Sequence, residues 1–184
     1  MGRTLLQKPL VERRNRRMAE IPGDQVPDNL VEMINDNLGG YNRTIGLRFV
    51  EASLSRLVAE VEITEKLYQP YGLVHGGVYA SMIESLCSTG AAMNVFGDNR
   101  SAVGIENSTS FLRAVRSGKL RCTATPLVMG RRSHVWEATV HDDQGRLAAT
   151  GRVRLMILEP GSEAAGAKVE LASSNGEKTD PGED

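Results

Sequence analysis

At 184 residues, with 40% hydrophobic residues and a formal net charge of −1, the chain has enough apolar content for one domain with tails. A near-neutral balance with only 4% aromatic residues excludes the basic footprint and stacking platforms of a nucleic-acid binder. No apolar run has the length of a membrane span, and the N-terminal TLLQKPLV is too short and broken for a signal peptide, so a soluble cytoplasmic protein is expected.

Residues 1–20 carry Arg3, Lys8, Arg13, Arg14, Arg16 and Arg17 against Glu12 and Glu20, and a Pro22, Gly23, Pro27 linker completes a segment over 1–27. A flexible basic segment is expected there. Asp28 can N-cap a short helix, DNLVEMINDNL, with Leu30, Ile34 and Leu38 on its inner face and Gly39-Gly40 at its end. Between Arg43 and Thr64 the apolar period becomes two. Ile45, Leu47 and Phe49 alternate, and Leu57 to Ile63 follow a polar break, which predicts two paired strands.

The segment from Val78 to Phe96 is too long and unbroken for a strand, and it is apolar nearly all round, so a buried helix is predicted. Four further strands follow, over 101–114, 120–128, 133–141 and 147–158, joined by turns at 116–118 and 142–145. Short connections between successive strands argue an antiparallel sheet covering the helix, an α+β architecture over residues 28–159. Residues 160–184 are rich in Gly, Ala, Ser and acids without an apolar period, so a disordered acidic tail is expected.

The informative stretch is Gln69 to Ser88, QPYGLVHGGVYASMIESLCS. Glycines before a helix let the backbone approach a ligand closely and leave the first helical N–H groups open to an oxygen anion. Ser81, Glu84, Ser85 and Ser88 form one narrow polar stripe on the helix, with Glu84 one turn before Ser88. A carboxylate inside an apolar helix is costly unless it is paired, protonated or used in chemistry, and the helix holds no Lys or Arg to pair with it. Cys87 and Cys122 sit in apolar patterns without CxxC spacing and read as reduced core thiols. His134 and His141 have no metal-ligand spacing, and no GxSxG elbow occurs.

A helix wrapped by an antiparallel sheet, with HGG at its entry and Glu84 following, resembles the hotdog-fold acyl-CoA thioesterases of the PaaI-type and 4-hydroxybenzoyl-CoA thioesterase group. The likeness extends to the 1,4-dihydroxy-2-naphthoyl-CoA thioesterases. It is carried by QPYGLVHGGVYASMIES, VGIENSTSFLRAVRSGKL and PLVMGRRSHVWEATVHDDQGRLAATGRVRLMIL. The resemblance implies a cofactor-free hydrolase of aryl- or medium-chain acyl-CoA, with one long helix in a curved sheet of about six strands. Glu84 would attack the thioester or activate water, and the Gly76 amide would hold the developing oxyanion. Gln69 would orient water or substrate, Ser88 would position the attacking group, and His75 would brace the turn or lie near the thioester. Gly77 and Phe111 would border the substrate, Phe111 standing where relatives carry a His. Arg113, Arg116, Arg131, Arg132 and Ser133 would meet the CoA phosphates.

Glu84 and the helix start lie on the order of 10 Å apart along the rod, and in the family the site forms between two subunits. A homodimer with shared sites, within a dimer-of-dimers tetramer, is therefore implied. Two other readings stay open. One is a non-catalytic acyl-CoA-binding domain. The other is an enoyl-CoA hydratase, whose Asp-x-Asn-Pro-x-His pattern is missing before His75.

Overall fold

Alternation of buried and exposed residues carries the second half of the chain into one antiparallel sheet. The computed structural model describes residues 26–169. Helices α1 (Leu30–Asp36) and α2 (Gly39–Ile45) precede strands β1 (Arg48–Ala52) and β2 (Leu57–Glu62). The long helix α3 (Gly76–Phe96) follows, and then come β3 (Ser101–Phe111), β4 (Lys119–Met129), β5 (Ser133–His141) and β6 (Leu147–Leu158). The sheet order is β1-β2-β4-β5-β6-β3, with every neighbouring pair antiparallel. Because β3 sits at the far edge, the chain crosses the whole sheet between β2 and β3, and α3 makes that crossing.

Each central strand presents alternate residues to α3: Leu120, Cys122 and Ala124 from β4, Trp136, Ala138 and Val140 from β5, Val153 and Leu155 from β6. Against them lie Met82, Ile83, Leu86 and Cys87 of the helix, all fully buried. Burial of one such Met, Ile or Leu side chain contributes roughly 1.5–3 kcal/mol relative to exposure. Gly90 is required here: a Cβ at this position would run into the Trp136 ring and Leu57. The predicted helix thus begins at Gly76, earlier than expected, and its apolar character extends as far as Val95, Phe96 being exposed.

The N-terminal elements depart from expectation. Asp28 does not cap α1; Asn29 holds that place, and no side-chain cap bond forms. Gly39-Gly40 do not merely end a helix. Gly39, at φ 70°, redirects the chain into α2. Ile45, expected on a strand with Leu47 and Phe49, is the last residue of α2, although all three are buried. Gly46, at φ 74°, ends α2 with Leu47 N–H bonding to Asn42 O at 2.9 Å and Gly46 N–H to Arg43 O at 3.1 Å, the Schellman arrangement. Tertiary contacts overrode the period: α2 is anchored on α3, as described below.

The basic segment expected over residues 1–27 lies almost wholly outside the described residues. The tail expected from residue 160 enters them only as far as Val169, where Glu163–Ala164 (β7) and Ala167–Lys168 (β8) pair as a small hairpin. Among the described residues no helix is long and apolar enough to cross a membrane.

Candidate active site

The polar stripe of α3 divides between two neighbours. Ser81 and Ser85 face α2: Ser85 Oγ donates to Asn42 Oδ1 at 2.8 Å, and Ser81 Oγ lies 2.7 Å from the Tyr41 hydroxyl. Ser81 also donates back to Gly77 O at 2.7 Å, which uses its single proton. The Tyr41 hydroxyl is therefore the donor to Ser81. Glu84 and Ser88 instead face β3, which runs antiparallel along the helix.

Glu84 is half-buried and both of its oxygens are engaged. Ser88 Oγ donates to Oε1 at 2.9 Å, and Asn107 Nδ2 on β3 donates to Oε2 at 2.9 Å. Gly104 closes the same side, because a Cβ there would collide with Glu84 Oε1. Among the described residues this half-buried acid is met by hydroxyl and amide donors rather than by a cation, which answers the cost noted in the sequence. Glu84 borders an open groove of ≈ 570 Å³, also lined by Tyr41, Ser81, Ser85, Asn107, Thr109 and Phe111. That volume is in the range of small-molecule sites.

The other expected residues gather at the helix start. His75 is the N-cap residue, and its Nδ1 accepts the Gly77 N–H at 2.9 Å. With Nδ1 accepting, a neutral imidazole carries its proton on Nε2, pointing away from the helix. Val78 N–H turns back to His75 O at 2.9 Å. Gly76 N–H has no acceptor among the described residues. A Cβ at Gly76 would lie 3.1 Å from the Phe111 ring, so that ring rests on the glycine corner. Phe111 also leans on Tyr79, ring centroids 6.1 Å apart. Gln69 belongs to the entry turn, where its carbonyl accepts Gly72 N–H, and it does not line the groove.

The basic candidates are not brought together within one chain. Arg113 N–H bonds to Ala148 O at one end of β6, and Arg132 O accepts from Ile157 N–H near the other. Those ends are about 30 Å apart by strand rise. Arg116 already donates to Tyr71 O and Gly72 O, bracing the entry turn. Arg131 lies 3.5 Å from Glu159, and Ser133 opens β5.

Burial pushes the Cys87 thiol well up, with Glu84 and Glu137 adding to it, and burial does the same to Cys122. Neither is a thiolate nucleophile. Among the described residues no group of His, Cys, Asp and Glu could hold a metal ion. The sequence reading missed Asn107, Thr109, Gly104 and Tyr41. Asn107 and Thr109 share one strand face at i, i+2, a signal that was available. Tyr41 gave none, because only the unexpected helix α2 brings it to the groove.

A six-stranded antiparallel sheet wrapped on one long helix, with a donor-held carboxylate and a glycine helix start, is the hotdog architecture of thioester-cleaving enzymes. The thioesterase superfamily model matches residues 71–149. A Mycobacterium tuberculosis protein named as an esterase, Rv1847, is 42% identical over 121 residues, covering 65% of this chain and 86% of that one. Its solved structure superposes with a TM-score of 0.63 at 41% identity, over 65% of this chain and 96% of that one. The proofreading thioesterase EntH of Cronobacter sakazakii is 35% identical over 122 residues, covering 66% of this chain and 88% of its own. The 1,4-dihydroxy-2-naphthoyl-CoA hydrolase of Listeria monocytogenes is 30% identical over 118 residues, covering 64% and 95%. The chain belongs to the thioesterase superfamily and is a thioester hydrolase.

Proposed function

We propose that the protein hydrolyses aryl- or medium-chain acyl-CoA thioesters to the free acid and CoA, with Glu84 as nucleophile or general base. The observation that carries this reading is the Glu84 carboxylate, held by Ser88 and Asn107 on the wall of the groove and without a cationic partner among the described residues. The printed name of the Listeria relative supplies the CoA thioester class.

The Gly76 amide is the oxyanion donor, and it is supplied by a second copy. β3 is an edge strand whose outer side is unpaired among the described residues, and Ile105, Phe111 and Leu112 are 51%, 57% and 55% exposed. Such an edge invites another strand. Because β3 runs antiparallel to α3, Gly104 sits beside Glu84 while Phe111 sits on Gly76. Antiparallel pairing of two β3 strands centred between Asn107 and Ser108 sets Gly104 of one copy opposite Phe111 of the other. The Glu84 of each copy then approaches the glycine corner of the second. A dimer of this kind could also bring together basic groups that one chain holds far apart.

Phe111 lying on the glycine corner favours a second reading, an acyl-CoA-binding domain without turnover. A thiol-release assay with benzoyl-CoA and a medium-chain acyl-CoA separates the two. Turnover is expected, and Glu84→Ala should lower it by about 100-fold or more, within the range of acid–base groups. A Glu84→Ala protein as active as the parent would remove Glu84 from the mechanism. No turnover in the parent would favour the binding domain.

A further inference from the structure

We propose that Asn107 and Thr109 are positioning residues that set the plane of the Glu84 carboxylate; this rests on Glu84 carrying the chemistry. The Asn107 amide is spent almost completely. One Nδ2 hydrogen goes to Glu84 Oε2 at 2.9 Å and the other to Ala80 O at 3.1 Å. Its Oδ1 accepts the Thr109 hydroxyl at 2.7 Å. Amide oxygen and nitrogen are told apart by their partners, and here the partners agree. A flipped Asn107 would set its oxygen against a carboxylate oxygen and a carbonyl oxygen, both acceptors. Those two acceptors hold the amide in this orientation, and Thr109 satisfies Oδ1 on the opposite side.

The consequence falls on Glu84. With Ser88 alone, the carboxylate would keep one bond on Oε1 and turn freely about its last torsion. The second bond, on Oε2, comes from a different element, so helix and strand together fix the plane. Gly104 confines Oε1 from the strand side, where any side chain would collide. The remaining lone-pair directions are left toward the groove. Attack on a carbonyl carbon, or proton removal from a water beside it, depends on placement to a fraction of an ångström. A carboxylate tied at both oxygens meets that demand before substrate arrives.

The chain Thr109 to Asn107 to Glu84 crosses from the edge strand to the helix and acts by orienting the carboxylate, so its loss should fall chiefly on kcat, with a smaller change in KM. Thr109→Val is nearly isosteric and removes only the hydroxyl that satisfies Oδ1. It should lower kcat about 3- to 10-fold with KM within about twofold of the parent. Thr109→Ser keeps the hydroxyl and should recover most of that loss. Asn107→Ala should lower kcat by about 10-fold or more. In a Glu84→Ala background neither substitution should change the residual rate further, since each acts through the carboxylate.

The measurements are kcat, KM, melting temperature and size-exclusion profile of the full chain and each variant. A parental kcat in Thr109→Val, or a Thr109→Ser protein as slow as the valine variant, would overturn the proposal. So would an undiminished effect of Asn107→Ala on the Glu84→Ala protein. If Asn107→Ala does not fold, the valine and serine pair decides alone. Failure of the underlying reading looks different: Glu84→Ala itself would then be fully active. Inactive Glu84→Ala beside fully active Asn107→Ala and Thr109→Val would sink the positioning role only.

Discussion

The two ends of the polar run on α3 are built on opposite principles. At Glu84 every group is engaged: Ser88 and Asn107 hold the two oxygens, and Gly104 leaves no room beside them. At Gly76 the reverse holds. His75 takes up the Gly77 N–H, while the Gly76 N–H has no acceptor among the described residues and Phe111 rests on the corner. One end is complete within the chain, and the other offers a donor with nothing yet to receive. Such a division suits a reaction in which base and oxyanion donor must stand on opposite sides of one carbonyl. It also suits supply of the two ends by different copies.

The sharpest way to break that comparison is to delete the donor and keep the helix. Pro is tolerated at the first helical position, where no intrahelical bond is lost. The residue before it must be extended, and His75 is already at φ −63°, ψ 137°. Gly76→Pro should therefore fold while costing about 10²- to 10³-fold in kcat, the scale of one lost oxyanion donor. Gly76→Ala keeps the N–H, adds only a close contact with the Phe111 ring, and should cost far less. Equal losses in the two variants would point to crowding rather than to the amide. Subunit exchange between Gly76→Pro and Glu84→Ala then tests whose glycine serves whose acid. A site shared across copies gives each heterodimer one fully parental site. A site within one chain gives none, and verified heterodimers would stay inactive.

The Glu84 end is tested from the strand. Gly104→Ala places a methyl where Oε1 lies, but the colliding atom is the far end of a flexible side chain. Glu84 can swing aside at little cost in stability. The expected outcome is a drop in kcat of up to about 10²-fold with a nearly parental melting temperature. A large loss of stability instead would mean that the strand, not the carboxylate, gives way.

The sequence made the Glu84 end more legible than its surroundings, for physical reasons. An acid in an apolar helix violates burial rules, so Glu84 and Ser88 stand out, as do β4, β5 and β6 with their alternation. The donors that satisfy Glu84 did not. Asn107 and Thr109 are ordinary polar residues on a strand that appears solvent-facing, and their meaning comes from the helix lying beside them. The helix α2 was hidden by Ile45, Leu47 and Phe49, which alternate in sequence and are all buried, yet Ile45 gets there from a helix and Phe49 from a strand. His75 fits either bracing or ligand contact by sequence, and its Nδ1 accepts the Gly77 N–H at the helix cap. The arginines matched a family pattern, but pattern alone does not say that they lie at opposite ends of β6.

The smallest expected effect separates chemistry from stability in any pH profile. His134 is buried in β5 with no partner for Nδ1 among the described residues, and burial, aided by the positive charge of Arg100, pushes its pKa below the ordinary 6.5. Below pH 6.5 the unfolded chain takes up a proton that the folded one still resists. Unfolding is then favoured progressively as pH falls toward the depressed folded value. Stability should accordingly decline between about pH 6.5 and that lower value, read as a falling urea midpoint. Asp142 behaves differently: Arg146 holds its pKa below 3.8, so its contribution is present above that value and fades only in stronger acid. His134→Leu should flatten the upper window without touching the lower one. If the midpoint of the parent is level from pH 7.5 to 5.5, His134 is not buried in its neutral form. If instead the midpoint falls while kcat at fixed temperature holds, turnover is independent of that histidine.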